Sequence, residues 1–363
     1  MNAMTRRIVI GTAAVSMALT MAACGKAGDK GSDNSKDKSI GLLLPDTVTA
    51  RYTQFDKPMI ESKIKSLCSD CTISYDNAAG DPSKQAQQVN TMITKGVKVL
   101  ILDPQDYVGI KSSVDAAVKK GIKVVAYDRL AEGPISAYVS YDNKNIGLLQ
   151  GQALLAAMGP KATPSSKVVM INGDPADPNA AQFKAGAHEA LDGKVNIAYE
   201  QSGLWKDTEA NKKVTAAITS LGAKNIAGVY SANDTMAGGI ATALKGAGIN
   251  PPLTGQDAEL PGLQRILVGT QSATIYKPYK AEADATAEIA VDLVNGKDPK
   301  TVTGSTTVTN GSGQVAPAVL LKATSVTKSN INSTVIKDGL YKISDLCSAA
   351  YVAACKAAGI SVG

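Results

Sequence analysis

Lys123-Val-Val-Ala-Tyr-Asp128-Arg129 runs an aliphatic strand directly into two opposite charges. The same design recurs at Val168-Val-Met-Ile-Asn172-Gly173-Asp174, at Ile226-Ala-Gly-Val-Tyr-Ser-Ala-Asn233-Asp234 and at Leu253-Thr-Gly-Gln-Asp257. A short continuous apolar run fits a strand covered on both faces, and such strands alternating with amphipathic helices build parallel sheets. In open sheets of that kind ligands sit outside the carboxyl ends of the strands, where helix N-termini also point their N–H groups. The polar residues that end these strands are therefore the first candidates for function.

Working outward, Ser39-Ile-Gly-Leu-Leu-Leu-Pro45 reads as an earlier buried strand, followed by helical spacing over Gln54–Leu67. Thr72–Asp76 then leads to a helix Pro82–Lys95 with Ala86, Val89 and Ile93 on one face, and Val97–Leu102 leads to Val108–Lys120. The rhythm restarts after Ala137–Asn143, with a helix Lys144–Met158 and strands near 167–172, 195–200, 226–231 and 252–256. At 363 residues the chain exceeds what one core usually serves, so two lobes are expected. The last third departs from the rhythm: Ala273–Tyr276, a long helix Pro278–Asn295, and β-prone stretches at Ser305–Thr309 and Ala318–Leu321. Late elements returned to both lobes would make the chain cross between them more than once, creating a hinge of several segments. The expected fold is α/β, two doubly wound parallel-sheet lobes, with residues 39–141 and 277–304 in the first, 142–276 and 305–345 in the second, and a tail over 346–363.

The N-terminus reads as an export signal. Met1–Arg7 is basic, and Ile8–Ala23 is apolar and rich in small residues, ending at Ala22-Ala23-Cys24. That is the pattern of a cleaved leader over residues 1–23, and small residues before a cysteine resemble a lipobox in which Cys24 carries the lipid. Residues 24–38 are polar and read as a flexible tether. Without Arg6 and Arg7, 36 basic residues face 32 acidic ones. That small excess is scattered, so nucleic acid is not expected as a partner. No later segment approaches the ~20 apolar residues of a membrane helix. Cys68, Cys71, Cys347 and Cys355 are an even set in an exported chain, so structural disulfides are expected.

Most chemistries lack their parts. The one histidine, His188, lies between alanines on a helical stretch, and no Gly-x-Ser-x-Gly elbow or phosphate loop occurs. No metal site and no cofactor are expected. Paired carboxylates for glycoside chemistry stay open, because their separation is a property of the fold. The strand-end residues form a different inventory: Asp128 beside Arg129, Asn233 beside Asp234, Gln256 beside Asp257, and Lys277 after a strand. Carboxylates accept from hydroxyls, cations donate and carboxamides do both, which suits a polyol. Trp205 offers an apolar face. Asn143 and Asp234 read chiefly as helix N-caps.

Several of these stretches resemble, in order, the periplasmic sugar-binding proteins of ATP-binding-cassette importers. Lys123–Leu130, Ser140-Tyr-Asp-Asn143, Gly173-Asp-Pro-Ala-Asp-Pro-Asn-Ala180, Ser231–Gly239, Gly255–Leu260, Gly269–Pro278 and Val335-Ile-Lys-Asp-Gly339 carry the resemblance. It implies the type I binding-protein fold with three crossovers, and a monosaccharide ligand, D-xylose or a similar aldose. It further implies no catalysis, a monomer, and a membrane permease as partner. By position the implied sugar ligands are Arg51, Tyr52, Asp128, Arg129, Asn179, Trp205, Asn233, Asp257 and Lys277. A chemosensory receptor of the same fold and a secreted sugar-acting enzyme remain the alternatives.

Overall fold

β1 (Ser39–Leu44) shows how the first core is built. Ile40, Leu42 and Leu44 pack to one side with Ile60 and Ile64, while Leu43 points to the other with Val89 and Met92. That period-two division is what a strand buried on both faces requires. A computed structural model describes residues 38–361. The expected leader over residues 1–23, Cys24 and the tether up to residue 37 lie outside the described residues.

β1 pairs in parallel with β2 (Thr72–Asn77) and with β3 (Val99–Leu102), and β4 (Lys123–Tyr127) and β5 (Ala137–Tyr141) continue the sheet. The order β2-β1-β3-β4-β5 reverses direction between β1 and β3, which places a topological switch point at their carboxyl ends. The intervening helices have local reasons to form. Asp81 accepts from the Ser83 and Lys84 N–H groups to start Pro82–Lys95, and Gly96, at φ +72°, ends it.

The second lobe repeats the scheme. β6 (Lys167–Asn172), β7 (Asn196–Ser202), β8 (Ile226–Ser231) and β9 (Leu253–Thr254) form a parallel sheet in the order β7-β6-β8-β9. A bridge from Thr254 to Ala273 adds β10 (Thr274–Tyr276) beside it. The helices Asn143–Met158 and Pro178–Leu191 cross at Gly147 and Gly186, where a Cβ would run into the Phe183 and Lys144 carbonyls. Only glycine permits that approach.

The last third connects the lobes. β11 (Thr307–Thr309) pairs antiparallel with β12 (Val315–Leu321), and β12 lies parallel to β5 in the first sheet. β13 (Thr324–Val326) then pairs with β10 in the second lobe. The expectation that residues 305–345 belong wholly to the second lobe is thus corrected: 307–321 complete the first sheet. Short β-prone stretches carry no mark of their partner, and here Ala316 and Ala318 pack with Leu100 and Ala126 of the first core. The chain crosses between lobes three times, after β5, β10 and β12.

Nor does the described part of the expected tail 346–363, up to residue 361, stand apart. Leu346, Cys347, Cys355 and Ile360 are buried with Leu263 and Ile266 of the helix Leu260–Val268 in the second lobe. Disulfides join Cys68 to Cys71 and Cys347 to Cys355. Among the described residues no helix is long and apolar enough to cross a membrane.

Candidate functional site

All nine sequence-predicted residues line one cavity between the lobes, at the carboxyl ends of both sheets. The first wall comes from the segment after β1, with Thr49, Arg51 and Tyr52, and from the end of β4, with Asp128 and Arg129. The second comes from the ends of β6 to β9, with Asp177, Asn179, Phe183, Trp205, Asn233, Gln256 and Asp257, and Lys277 follows β10 at a crossover.

The backbone is strained where it delivers these groups. Six described non-glycine residues have positive φ, among them Asp128 (+56°), Trp205 (+58°) and Asp257 (+96°). Leu204 and Ala258, next to two of these, are also in the set. Such conformations persist only when the surroundings enforce them, and they gather at functional sites.

On the first wall the Arg51 guanidinium contacts Asp56 at 2.8 Å, Glu282 at 2.6 Å and Asp128 at 3.3 Å. Its centre also lies 4.7 Å from the centroid of the Tyr279 ring. Burial works against its charge, but Asp128, Asp56 and Glu282 outweigh it and hold the guanidinium firmly protonated. Burial likewise opposes ionisation of Asp128, yet Arg51, Lys277 and Arg129 hold its carboxyl below the usual range. Burial pushes the Glu282 carboxyl up against the pull of Arg51. Arg129 donates to the Tyr52 hydroxyl (3.1 Å) and to the Pro104 carbonyl (3.2 Å).

On the second wall Asp177 caps the helix Pro178–Leu191 by accepting from the Asn179 N–H at 2.8 Å. Burial pushes its carboxyl up to about 6, against the pull of Arg129. Lys277 pairs with Asp257 at 2.8 Å. The Trp205 indole meets Phe183 edge-on, at 6.4 Å and 76°. It also lies so close to Gly173 that a Cβ there would collide with the ring.

The two walls touch. Arg129 Nε lies 2.9 Å from Asp177, off the line of a hydrogen bond, and the Asn179 amide nitrogen donates to the Asp128 carbonyl at 3.0 Å. Among the described cavity residues, three buried polar atoms make no hydrogen bond within the protein: Arg129 Nε, Trp205 Nε1 and Gln256 Oε1. Buried groups of this kind are normally satisfied by a bound molecule or water.

Two capping expectations are corrected. Asp142, not Asn143, caps Asn143–Met158, and Asn143 instead donates to Asn179 at 3.0 Å and to Ser140 at 3.3 Å. Asn233, not Asp234, caps Asp234–Gly246 by accepting from the Met236 N–H, which leaves its amide nitrogen to donate. Asp234 is fully buried and accepts from Gln271, Thr274 and the Glu259 N–H. In each pair the neighbours exchange roles, because a cap is set by one residue's position relative to the helix start.

Thr49, Asp177, Phe183 and Gln256 were not among the predicted site residues. Asp177 had a signal, an Asp-Pro helix start two residues before Asn179, and Phe183 lies one helical turn beyond Asn179. Gln256 adjoins Asp257 in the strand-end inventory. Thr49 carried no mark.

The family described as periplasmic binding protein domain matches residues 40–298. The chain belongs to this periplasmic binding protein family. The D-xylose-binding periplasmic protein of Escherichia coli strain K12 is 36% identical over 86% of this chain and 94% of that one. A multiple sugar-binding periplasmic protein of Azospirillum brasilense is 31% identical, covering 85% of this binding protein and 91% of the relative. Among solved structures, a transporter solute-binding protein of Clostridium phytofermentans, with bound β-D-glucose, superposes with a TM-score of 0.77. It is 26% identical and covers 85% of this chain and all of that one. The two-lobed architecture of this binding protein is that of type I periplasmic binding proteins.

Proposed function

We propose that this binding protein is an extracytoplasmic receptor that captures a monosaccharide, D-xylose or a similar aldose, and delivers it to the permease of an ATP-binding-cassette importer. The observation that carries the reading is that, among the described residues, every cation lining the cavity already faces a carboxylate. Asp128, Asp177 and Asp257 face Arg51, Arg129 and Lys277, with Asp56 and Glu282 further neutralising Arg51. A carboxylate or phosphate ligand would meet those carboxylates without a free cation to answer it, whereas a neutral polyol can accept from the cations and donate to the carboxylates. The Trp205 and Phe183 rings add apolar faces for the C–H side of a sugar ring. The D-xylose-binding relative supports an aldose of that size.

Within this reading Arg51, Tyr52, Asp128 and Arg129 bind from the first lobe and Asn179, Trp205, Asn233, Asp257 and Lys277 from the second side. A sugar touching both walls stabilises the closed arrangement over an open one, since a ligand shifts an equilibrium only through contacts that differ between the states. The closed form is the one the permease reads. Micromolar affinity requires about 8 kcal/mol, attainable with several charge-assisted hydrogen bonds and one ring contact. Cys24 would tether a monomeric receptor to the membrane through lipid.

Trp205 is the only tryptophan, so its fluorescence is a direct probe. Titration with a panel of aldopentoses and aldohexoses is expected to give saturable binding, with D-xylose among the tightest and the sugar recovered unchanged. Absence of saturable binding across the panel, or turnover of the sugar, would overturn the reading.

A further inference from the structure

The segment that follows β13 packs on the second lobe. Ile331, Val335 and Leu346 are buried against Leu263 and Ile266, and Tyr341 lies partly buried beside them. Tyr341 also reaches the first lobe. Its ring meets Phe55 edge-on, at 5.5 Å and 81°, and Phe55 stacks in turn on Tyr279, at 5.5 Å and 27°. Tyr279 is connected to both sides of the cavity: its ring lies against the Arg51 guanidinium, and its hydroxyl donates to the Asp257 backbone carbonyl.

Phe55 is also well placed to move the first wall. It belongs to a single turn, Tyr52–Asp56, wound with the wider π-helical spacing. Such turns are uncommon and favour functional sites. One end of the turn carries Arg51 and Tyr52, which line the cavity, and the other carries Asp56, which pairs with Arg51. A shift of Phe55 is therefore passed to two cavity residues within one turn of backbone.

We propose that Tyr341 is a positioning residue for ligand capture: its contact with Phe55 fastens the C-terminal segment of the second lobe to the first-lobe turn bearing Arg51 and Tyr52, favouring closure without touching the ligand. The inference rests on the sugar-receptor reading for its ligand and on the two-lobed fold for its mechanism. A contact made only in the closed arrangement raises the closed fraction, and apparent affinity rises with that fraction. Aromatic edge contacts are worth about 2- to 10-fold in such an equilibrium. Tyr341 is not a cavity-lining residue, so the effect is on affinity and dissociation rate and leaves the order of preference among sugars unchanged.

The test compares full-length Tyr341→Leu, which keeps apolar bulk but loses the ring, with Tyr341→Phe, which keeps it. D-Xylose titration is expected to show Kd raised about 2- to 10-fold in Tyr341→Leu, mainly through faster dissociation, with Tyr341→Phe matching the wild type and the sugar ranking constant in both. Unchanged Kd in Tyr341→Leu, or equal weakening in Tyr341→Phe, overturns the proposal. Small-angle scattering without sugar reads closure independently of any ligand. A larger radius of gyration in Tyr341→Leu alone supports the proposal, and identical radii in all three proteins overturn it. Failure of the wild type to bind any aldose counts against the receptor reading and leaves the scattering comparison to decide on Tyr341.

Discussion

The Asn179 amide nitrogen, on the second lobe, donates to the Asp128 backbone carbonyl of the first at 3.0 Å. That carbonyl also accepts from the Ser140 hydroxyl (2.7 Å) and the Tyr138 hydroxyl (3.0 Å), both in its own lobe. Removing Asn179 therefore breaks a bond between lobes without leaving a buried acceptor unsatisfied. It also removes the Oδ1 that accepts from Asn143 at 3.0 Å inside the second lobe, so two neutral hydrogen bonds are lost, each worth about 0.5–1.5 kcal/mol, one between lobes and one within the second. Asn179→Ala is expected to weaken sugar binding by about 2- to 10-fold, and to lower the melting temperature without sugar slightly, because Asn143 keeps only the Ser140 hydroxyl as a partner. Calorimetric titration paired with thermal unfolding checks this; unchanged affinity would contradict it.

Gly173 directly follows β6 and lies against the Trp205 indole, and a Cβ at this position would collide with the six-membered ring. Interiors are packed too tightly for the indole to give way in place, so the ring has to rotate. Gly173→Ala is expected to shift the emission maximum of the lone tryptophan and to weaken sugar binding by about fivefold or more, the scale of 1–3 kcal/mol for overpacking. Gly203, which also packs tightly but against Met236 and Ile171, serves as a control: Gly203→Ala should cost stability and alter the emission less.

Much of this cleft was legible because strand ends announce themselves. A run such as Lys123–Tyr127 identifies its own carboxyl end, and Asp128 and Arg129 follow it by necessity. Residues that act from a helix interior announce nothing. Glu282 and Tyr279 lie on the helix Tyr279–Val294, where their spacing matches an ordinary amphipathic face, yet one pairs with Arg51 and the other packs beneath it. Only the fold brings position 282 to position 51. The assignment of β12 failed for a similar reason, since strand pairing is a long-range choice that local propensity does not encode.

Tyr52 reaches across the first wall, and its hydroxyl accepts from the Arg129 guanidinium at 3.1 Å. Tyr52→Phe keeps the ring and removes only that acceptor. Arg129 still has the Pro104 carbonyl and Asp177 close by, so its fold role survives while its orientation loosens. The expected outcome is a Kd about 2- to 10-fold higher, with wild-type thermal stability within about 2 °C. Equal affinities in the two proteins would show that Arg129 is held by its other partners alone.

Asp234 and Glu259 form a buried acidic pair behind the second wall. Burial pushes Asp234 up to about 7, against Arg265, Gln271 and Thr274, with Asp257 adding repulsion. Burial, followed by repulsion from Asp234, pushes Glu259 up to about 8, while Thr235 and Arg265 oppose the shift. Both carboxyls hold protons in the folded protein at a pH where the unfolded chain has released them. Their contribution is therefore complete below the ordinary carboxylate range and is lost as pH rises through the folded values. Asp177, raised to about 6, acts in the same direction, whereas Asp128, held low by its cations, is ionised throughout this range. The melting temperature without sugar should fall as pH rises from about 5, most steeply from about 5 to 7 and levelling off above about 8, at about 2–4 °C per kcal/mol for a large domain. Glu259→Gln keeps an oxygen to accept from Thr235, which bonds Glu259 at 2.6 Å, but cannot ionise. It should flatten the upper part of the curve, and a wild-type melting temperature that is level or rising from pH 6 to 8 would show that these carboxyls are not held protonated.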